Sequence, residues 1–189
     1  MLVSLTTGFI GSVATMDVHL QSGYAAIALA LFRLGWAFWG GRNDRFAAYR
    51  IRPSVLIAQL RGRLPPGFVH TPWGAVLALT VWCAVALQTA TGLFASDEIS
   101  SEGPFAHRAS EHGVHIATWI HTRLCWAIAT LMASHVLAIG IYALRGDPLV
   151  AAMWTGRKPD APHEPRALIV RSALTLAGAA AAVALLLSI

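Results

Sequence analysis

Apolar residues in this chain gather into long blocks, not into the narrow stripes of amphipathic surface helices. Four blocks, 19–39, 72–94, 116–144 and 167–189, are each long enough to cross a hydrocarbon layer of about 30 Å as an α-helix. A fifth, 1–13, supplies only about 20 Å of helix, too short to span. It has no preceding basic region, which argues against a signal peptide, and it reads as the last part of a spanning helix whose beginning is absent. Thr71 followed by Pro72 predicts an N-cap and first-turn proline for the second full block. Arg145-Gly146-Asp147-Pro148 predicts a sharp end to the third. Residues 53–61 read as a short amphipathic helix lying flat on a membrane surface, and 149–155 read the same way. The pattern predicts an all-α, integral-membrane helical bundle.

Composition agrees. Of the 189 residues, 56% are hydrophobic and only 12% are charged. A soluble domain carries about 25% charged residues, so the polar surface it would need is missing. The isoelectric point of about 10.0 does not point to nucleic acid, because the basic residues are mostly arginines beside apolar blocks, where they set topology. Segment 41–70 holds Arg42, Arg45, Arg50, Arg52, Arg61 and Arg63 against Asp44 alone, and Arg145, Arg157, Lys158 and Arg166 follow the third full block. Segment 95–115 instead holds Asp97, Glu98, Glu102 and Glu111 against Arg108. By the positive-inside rule the first and third connections are cytoplasmic and the second lies outside. Cys83 and Cys125 both sit in apolar segments, without a CxxC or CxxCH motif, and read as small core residues.

Ionisable side chains inside a bilayer are expensive and usually functional. His121 and His135 lie in one block, 135 − 121 = 14 residues apart. That is nearly four helical turns, so both imidazoles share a face about 21 Å apart along the axis. His19 opens the first full block from the outside, at a depth similar to His121. Neutral imidazoles on neighbouring helices can bind a b-type haem from opposite faces, and the iron bond offsets the cost of burying a polar ring. The competing reading of these histidines is hydrogen bonding to nearby carbonyls, or a wet interfacial position. Arg33 is 33 − 19 = 14 residues after His19, on nearly the same face at the inner level. It is read equally as a partner for a haem propionate or as a side chain snorkelling to the cytoplasmic headgroups. Arg123 and Arg171, near helix ends, read as snorkelling. His107, His112 and His115 cluster in the outer connection at spacings that match no closed metal site. His70, just before Pro72, reads as an interfacial residue able to face an inner haem edge.

An ordered set of motifs then stands out: His19 with Gly23-Tyr24, Phe32-Arg33-Leu34-Gly35-Trp36, Arg45-Phe46, His70-Thr71-Pro72-Trp73-Gly74, Gln88 with Thr91-Gly92-Leu93-Phe94, Gly103-Pro104, His121, His135, and Met153-Trp154-Thr155-Gly156-Arg157-Lys158. In these, from about residue 19 to 158, the chain resembles the bacterial cytochrome b561 and nickel–iron hydrogenase cytochrome b subunit family. The resemblance implies a four-helix core carrying two b haems that moves electrons across the cytoplasmic membrane. It implies that His19 and His121 hold the outer haem and that His135 holds the inner one, with a partner near the start of the first core helix. The chain departs from the family there, since 1–13 contains no histidine. Three explanations are open: a start placed too far downstream, which is favoured; a one-haem variant; or a substitute ligand such as His70.

The expectation is therefore a cytochrome b561-like membrane domain over 1–160, with a partial helix at 1–13 and spans at 19–39, 72–94 and 116–144. A linker and an additional transmembrane helix over 161–189 would complete the chain. The expected function is a membrane-bound b-type cytochrome in respiratory electron transport, an electron-transfer subunit and not a stand-alone catalyst. One haem b site would be complete and a second half-formed, becoming two with the first helix restored. Expected partners are membrane lipid and a redox protein (a c-type cytochrome or hydrogenase-like) or a quinone, with no nucleic acid, and homo-oligomerisation is left open. The expected location is the bacterial inner membrane, as a multi-pass protein. The alternative function is a haem-free membrane anchor or assembly subunit of a redox complex.

Overall fold

The computed structural model describes residues 2–10, 13–41, 44–49, 51–63, 71–99, 101–146 and 167–188. The readings attached to His70, to 149–155 and to the 153–158 motif lie outside these. The described residues form helices joined by turns and short 3₁₀ segments, as an integral-membrane bundle. They are α1 (Leu2–Ile10), α2 (Val13–Trp39), α3 (Pro53–Leu60), α4 (Pro72–Gly92), α5 (Glu111–Leu144) and α6 (Ala167–Leu187).

Local chemistry sets the helix ends. Thr71 accepts a hydrogen bond from the Gly74 amide at 3.3 Å, with Pro72 in the first turn of α4. Ser110 does the same for the Gly113 amide at 3.2 Å, and Glu111 adds a carboxylate to the positive end of the α5 dipole. That cap explains why α5 begins at Glu111 and not at Ile116, where the apolar run starts. α2 likewise begins at Val13, ahead of His19. No glycine or proline interrupts 13–18, so helix persists beyond the change in polarity.

By length and composition, Pro72–Gly92, Glu111–Leu144 and Ile169–Leu187 can each cross a membrane. α2, at 27 residues, runs about 40 Å, but Asp17, His19, Gln21 and Arg33 dilute its apolar character. Burial follows the pattern of a bundle in lipid. The buried residues are mostly small, including Ala26, Ala37, Ala75 and Ala179, while Leu137, Val136, Leu174 and Ile169 face outward. Small residues allow helices close approach where lipid leaves no hydrophobic force between them.

Among the described residues α2 is the hub, packing closely against α1, α4 and α6, whereas α5 packs closely on α4. α6 is fastened to α2 by polar links, with the Trp39 indole donating to Thr175 Oγ1 at 2.9 Å. The Arg171 guanidinium reaches the Trp39 carbonyl at 3.4 Å, where a cation complements the C-terminal end of α2. The connection between α4 and α5 is pinned to α5 by Thr118. Its hydroxyl accepts from the Ser96 amide at 3.0 Å and lies 3.3 Å from the Ser96 carbonyl.

Candidate functional site

His19 of α2 and His121 of α5 meet across the bundle. Their ring centres are 5.9 Å apart and their planes are at 87°. α2 and α5 are not among the closely packed helix pairs, and it is the two imidazoles that meet between them.

Each ring is fixed from behind. His19 Nδ1 lies 2.9 Å from the Ser4 carbonyl of α1, and His121 Nδ1 lies 2.9 Å from the Gln88 carbonyl of α4. A carbonyl oxygen can only accept, so both Nδ1 atoms carry the proton and both Nε2 atoms keep a lone pair. Thr91 Oγ1 sits 3.5 Å from the same His121 nitrogen, a longer second contact. Such backbone acceptors fix tautomer and ring orientation at metal sites.

Two glycines make the arrangement possible. A Cβ on Gly8 would stand 3.0 Å from His19 Cε1, and one on Gly92 would stand 2.8 Å from His121 Cε1. In both cases Nε2 is the ring nitrogen farther from the glycine, at 4.0 and 3.7 Å from that Cβ position. The Nδ1–Cε1 edges therefore rest against the backbones of α1 and α4. Ser4 and Ser22 join α1 to α2 by a 2.7 Å hydroxyl hydrogen bond one turn from His19.

These features suit haem b. Two imidazoles with ring centres 5.9 Å apart, each with Nδ1 occupied by a carbonyl, are donors that would hold the iron of a haem. Among the described residues no group of three or more His, Cys, Asp or Glu side chains is placed to hold a metal ion. A porphyrin supplies four nitrogens itself, so a facing pair of imidazoles is the donor set it requires. A buried side-chain oxygen, Gln88 Oε1, has no hydrogen-bond partner among the described residues, a polar orphan on the same stretch of α4.

The other candidate residues are placed differently. His135 is exposed on α5 with no described partner. Arg33 is bound to the turn that follows α2, donating to the Asp44 carbonyl at 3.2 Å and to the Tyr49 hydroxyl. Trp36 supports the same turn by donating to Asp44 Oδ2 at 2.9 Å. His107, His112 and His115 are exposed, and His70 lies outside the described residues.

Ser4, Gly8 and the carbonyl of Gln88 were not singled out from sequence as parts of a site. Backbone acceptors carry no side-chain signature. The grouping of Gln88 with Thr91-Gly92 in one motif was the available signal.

Comparison with known proteins gives one finding. The family model described as prokaryotic cytochrome b561 matches residues 1–156, which leaves α6 beyond the match. No match was found among curated proteins or among solved structures.

Proposed function

The chain belongs to the prokaryotic cytochrome b561 family, and on that premise we propose that His19 and His121 would hold a haem b between α2 and α5. Family members are membrane-bound b-type cytochromes, and haem b supplies one-electron oxidation and reduction. The observation that carries the proposal is the facing pair of imidazoles, 5.9 Å apart, each with Nδ1 held by a backbone carbonyl.

This chain's residues then do three things. His19 and His121 bind through Nε2. The carbonyls of Ser4 and Gln88 raise the basicity of the rings and hold them in orientation, favouring the oxidised iron. The surrounding apolar helices exclude water and lower the dielectric, which tunes the potential.

We assign one complete haem site. At the inner level His135 has no facing imidazole among the described residues, and Arg33 is engaged by Asp44 and Tyr49; among those residues a second site would be half-formed. We place the His19–His121 site towards the outer face of a bacterial inner membrane, following the arginine-rich connection at 41–63 and the acidic one at 95–111. Residues 1–160 would form the haem-binding unit, with 161–189 adding a linker and a peripheral span. The respiratory partner is a redox protein or a quinone. Asp97, Glu98 and Glu102 are exposed in the connection between α4 and α5, which favours a basic carrier of the c-type cytochrome kind, steered by charge.

Electron paramagnetic resonance of the oxidised, haem-loaded protein tests the ligand assignment. Imidazole planes at 87° give a strongly anisotropic low-spin signal. A rhombic signal of parallel rings, or a high-spin one, contradicts the assignment.

A further inference from the structure

We infer that the side-chain carboxamide of Gln88 hydrogen-bonds a propionate of the haem, which makes Gln88 a cofactor-contacting residue; this rests on the His19–His121 reading above. Gln88, Thr91 and Gly92 occupy positions i, i+3 and i+4 of α4, hence one face. That face is turned to His121. The Gln88 carbonyl takes the His121 Nδ1 proton, the Thr91 hydroxyl approaches the same nitrogen, and Gly92 clears room for the ring.

The Gln88 side chain is the polar group on this face left over. Its Oε1 is buried with no hydrogen-bond partner among the described residues. The Thr91 hydroxyl is already engaged by the Leu87 and Gln88 carbonyls at 2.9 and 3.1 Å. On the His19 side, Ser4 and Ser22 bond to each other, and Ser22 also reaches the His19 carbonyl at 2.9 Å. Arg33, named above as a possible propionate partner, is instead bonded to the Asp44 carbonyl and the Tyr49 hydroxyl.

Buried polar atoms in native proteins are almost always paired, so the orphan marks a partner supplied from outside the chain. A carboxamide carries one acceptor and two donors, and its two ends exchange by a half-turn. It can therefore meet a carboxylate with N–H or a carboxylic acid with oxygen. The propionates are the hydrogen-bonding groups on the rim of haem b; the remainder is hydrocarbon. Gln88 thus does two jobs through two groups: its main chain orients the ligand and its side chain grips the porphyrin edge.

The test is a cycle between side chain and cofactor. Wild type and Gln88→Met, which keeps the main-chain carbonyl and approximate shape, are each loaded with haem b and with its dimethyl ester, in which both propionates are capped. Haem loss to apomyoglobin and the midpoint potential are measured for all four. The expected result is roughly tenfold faster loss of haem b from Gln88→Met, with a shifted potential, consistent with one lost hydrogen bond to a charged group. With the ester, the two proteins should agree within about twofold. Equal effects on both haems, or none on either, overturn the inference. Gln88→Leu repeats the cycle should Gln88→Met not fold. A wild type that binds neither haem refutes the His19–His121 reading itself, an outcome distinct from failure at Gln88.

Discussion

Gly92→Ala separates the stability of the bundle from the geometry of its site. The added Cβ would stand 2.8 Å from His121 Cε1 and 3.1 Å from Nδ1. Carbon atoms pack at about 3.5 Å or more, so the ring must retreat by about 0.7 Å. His121 Nδ1 starts 2.9 Å from the Gln88 carbonyl, and the retreat stretches that hydrogen bond past its useful range. The loss costs about 1 kcal/mol. Gly92 is the last residue of α4, where only part of the helix-interior gain of about 1 kcal/mol for alanine over glycine is returned, so thermal stability of the haem-free protein should fall by less than about 1 kcal/mol. A ring that must bind iron cannot relax so freely. Haem affinity should fall roughly 5- to 30-fold, the equivalent of about 1–2 kcal/mol. Titration with haem, followed by visible absorbance, measures the affinity, and helical circular dichroism in detergent measures the stability. Unchanged affinity beside an unchanged low-spin spectrum would refute the reasoning. So would a large loss of helix stability, because it would place the clash in the fold and not in the site.

Other consequences follow from single contacts. Thr175→Val removes the oxygen that accepts the Trp39 indole N–H in a buried position; detergent-resistant stability should drop by about 1 kcal/mol with the haem spectrum unaltered. Ser110→Ala removes the α5 N-cap, so amide exchange at 111–114 should quicken and stability should fall by about 1 kcal/mol. Arg33→Leu frees the turn that holds Asp44 and Tyr49. Hydrogen exchange over 44–49 should rise while haem content stays constant; a fall in haem content would instead return Arg33 to the role of a propionate partner.

Much of the plan was legible before any coordinates. Long apolar blocks and alternating loop charge specify helices and their order, because lipid demands internally satisfied backbone. The Thr71-Pro72 start was readable because capping is a local side-chain event. The depth match of His19 and His121 was readable from helical rise and loop charge together. The parts that hold the rings were not. Ser4 and Gln88 act through main-chain carbonyls that every residue possesses, and Gly8 and Gly92 matter only once a particular ring rests on them. The contacts of Arg33 were not legible for a related reason. Its partners, the Asp44 carbonyl and the Tyr49 hydroxyl, are presented by a turn whose course no periodicity reveals. The attachment of α6 to α2 through Trp39 and Thr175 is likewise a long-range match invisible in either segment alone.

The most direct measurement is haem stoichiometry with a reduced-minus-oxidised spectrum on the purified wild type and on His19→Ala, His121→Ala and His135→Ala. A facing imidazole pair between α2 and α5 predicts about one haem per chain with sharp low-spin b-type bands. Those bands should be lost on removing either His19 or His121 and kept on removing His135. Full low-spin bands in both His19→Ala and His121→Ala, or none in the wild type, would contradict it.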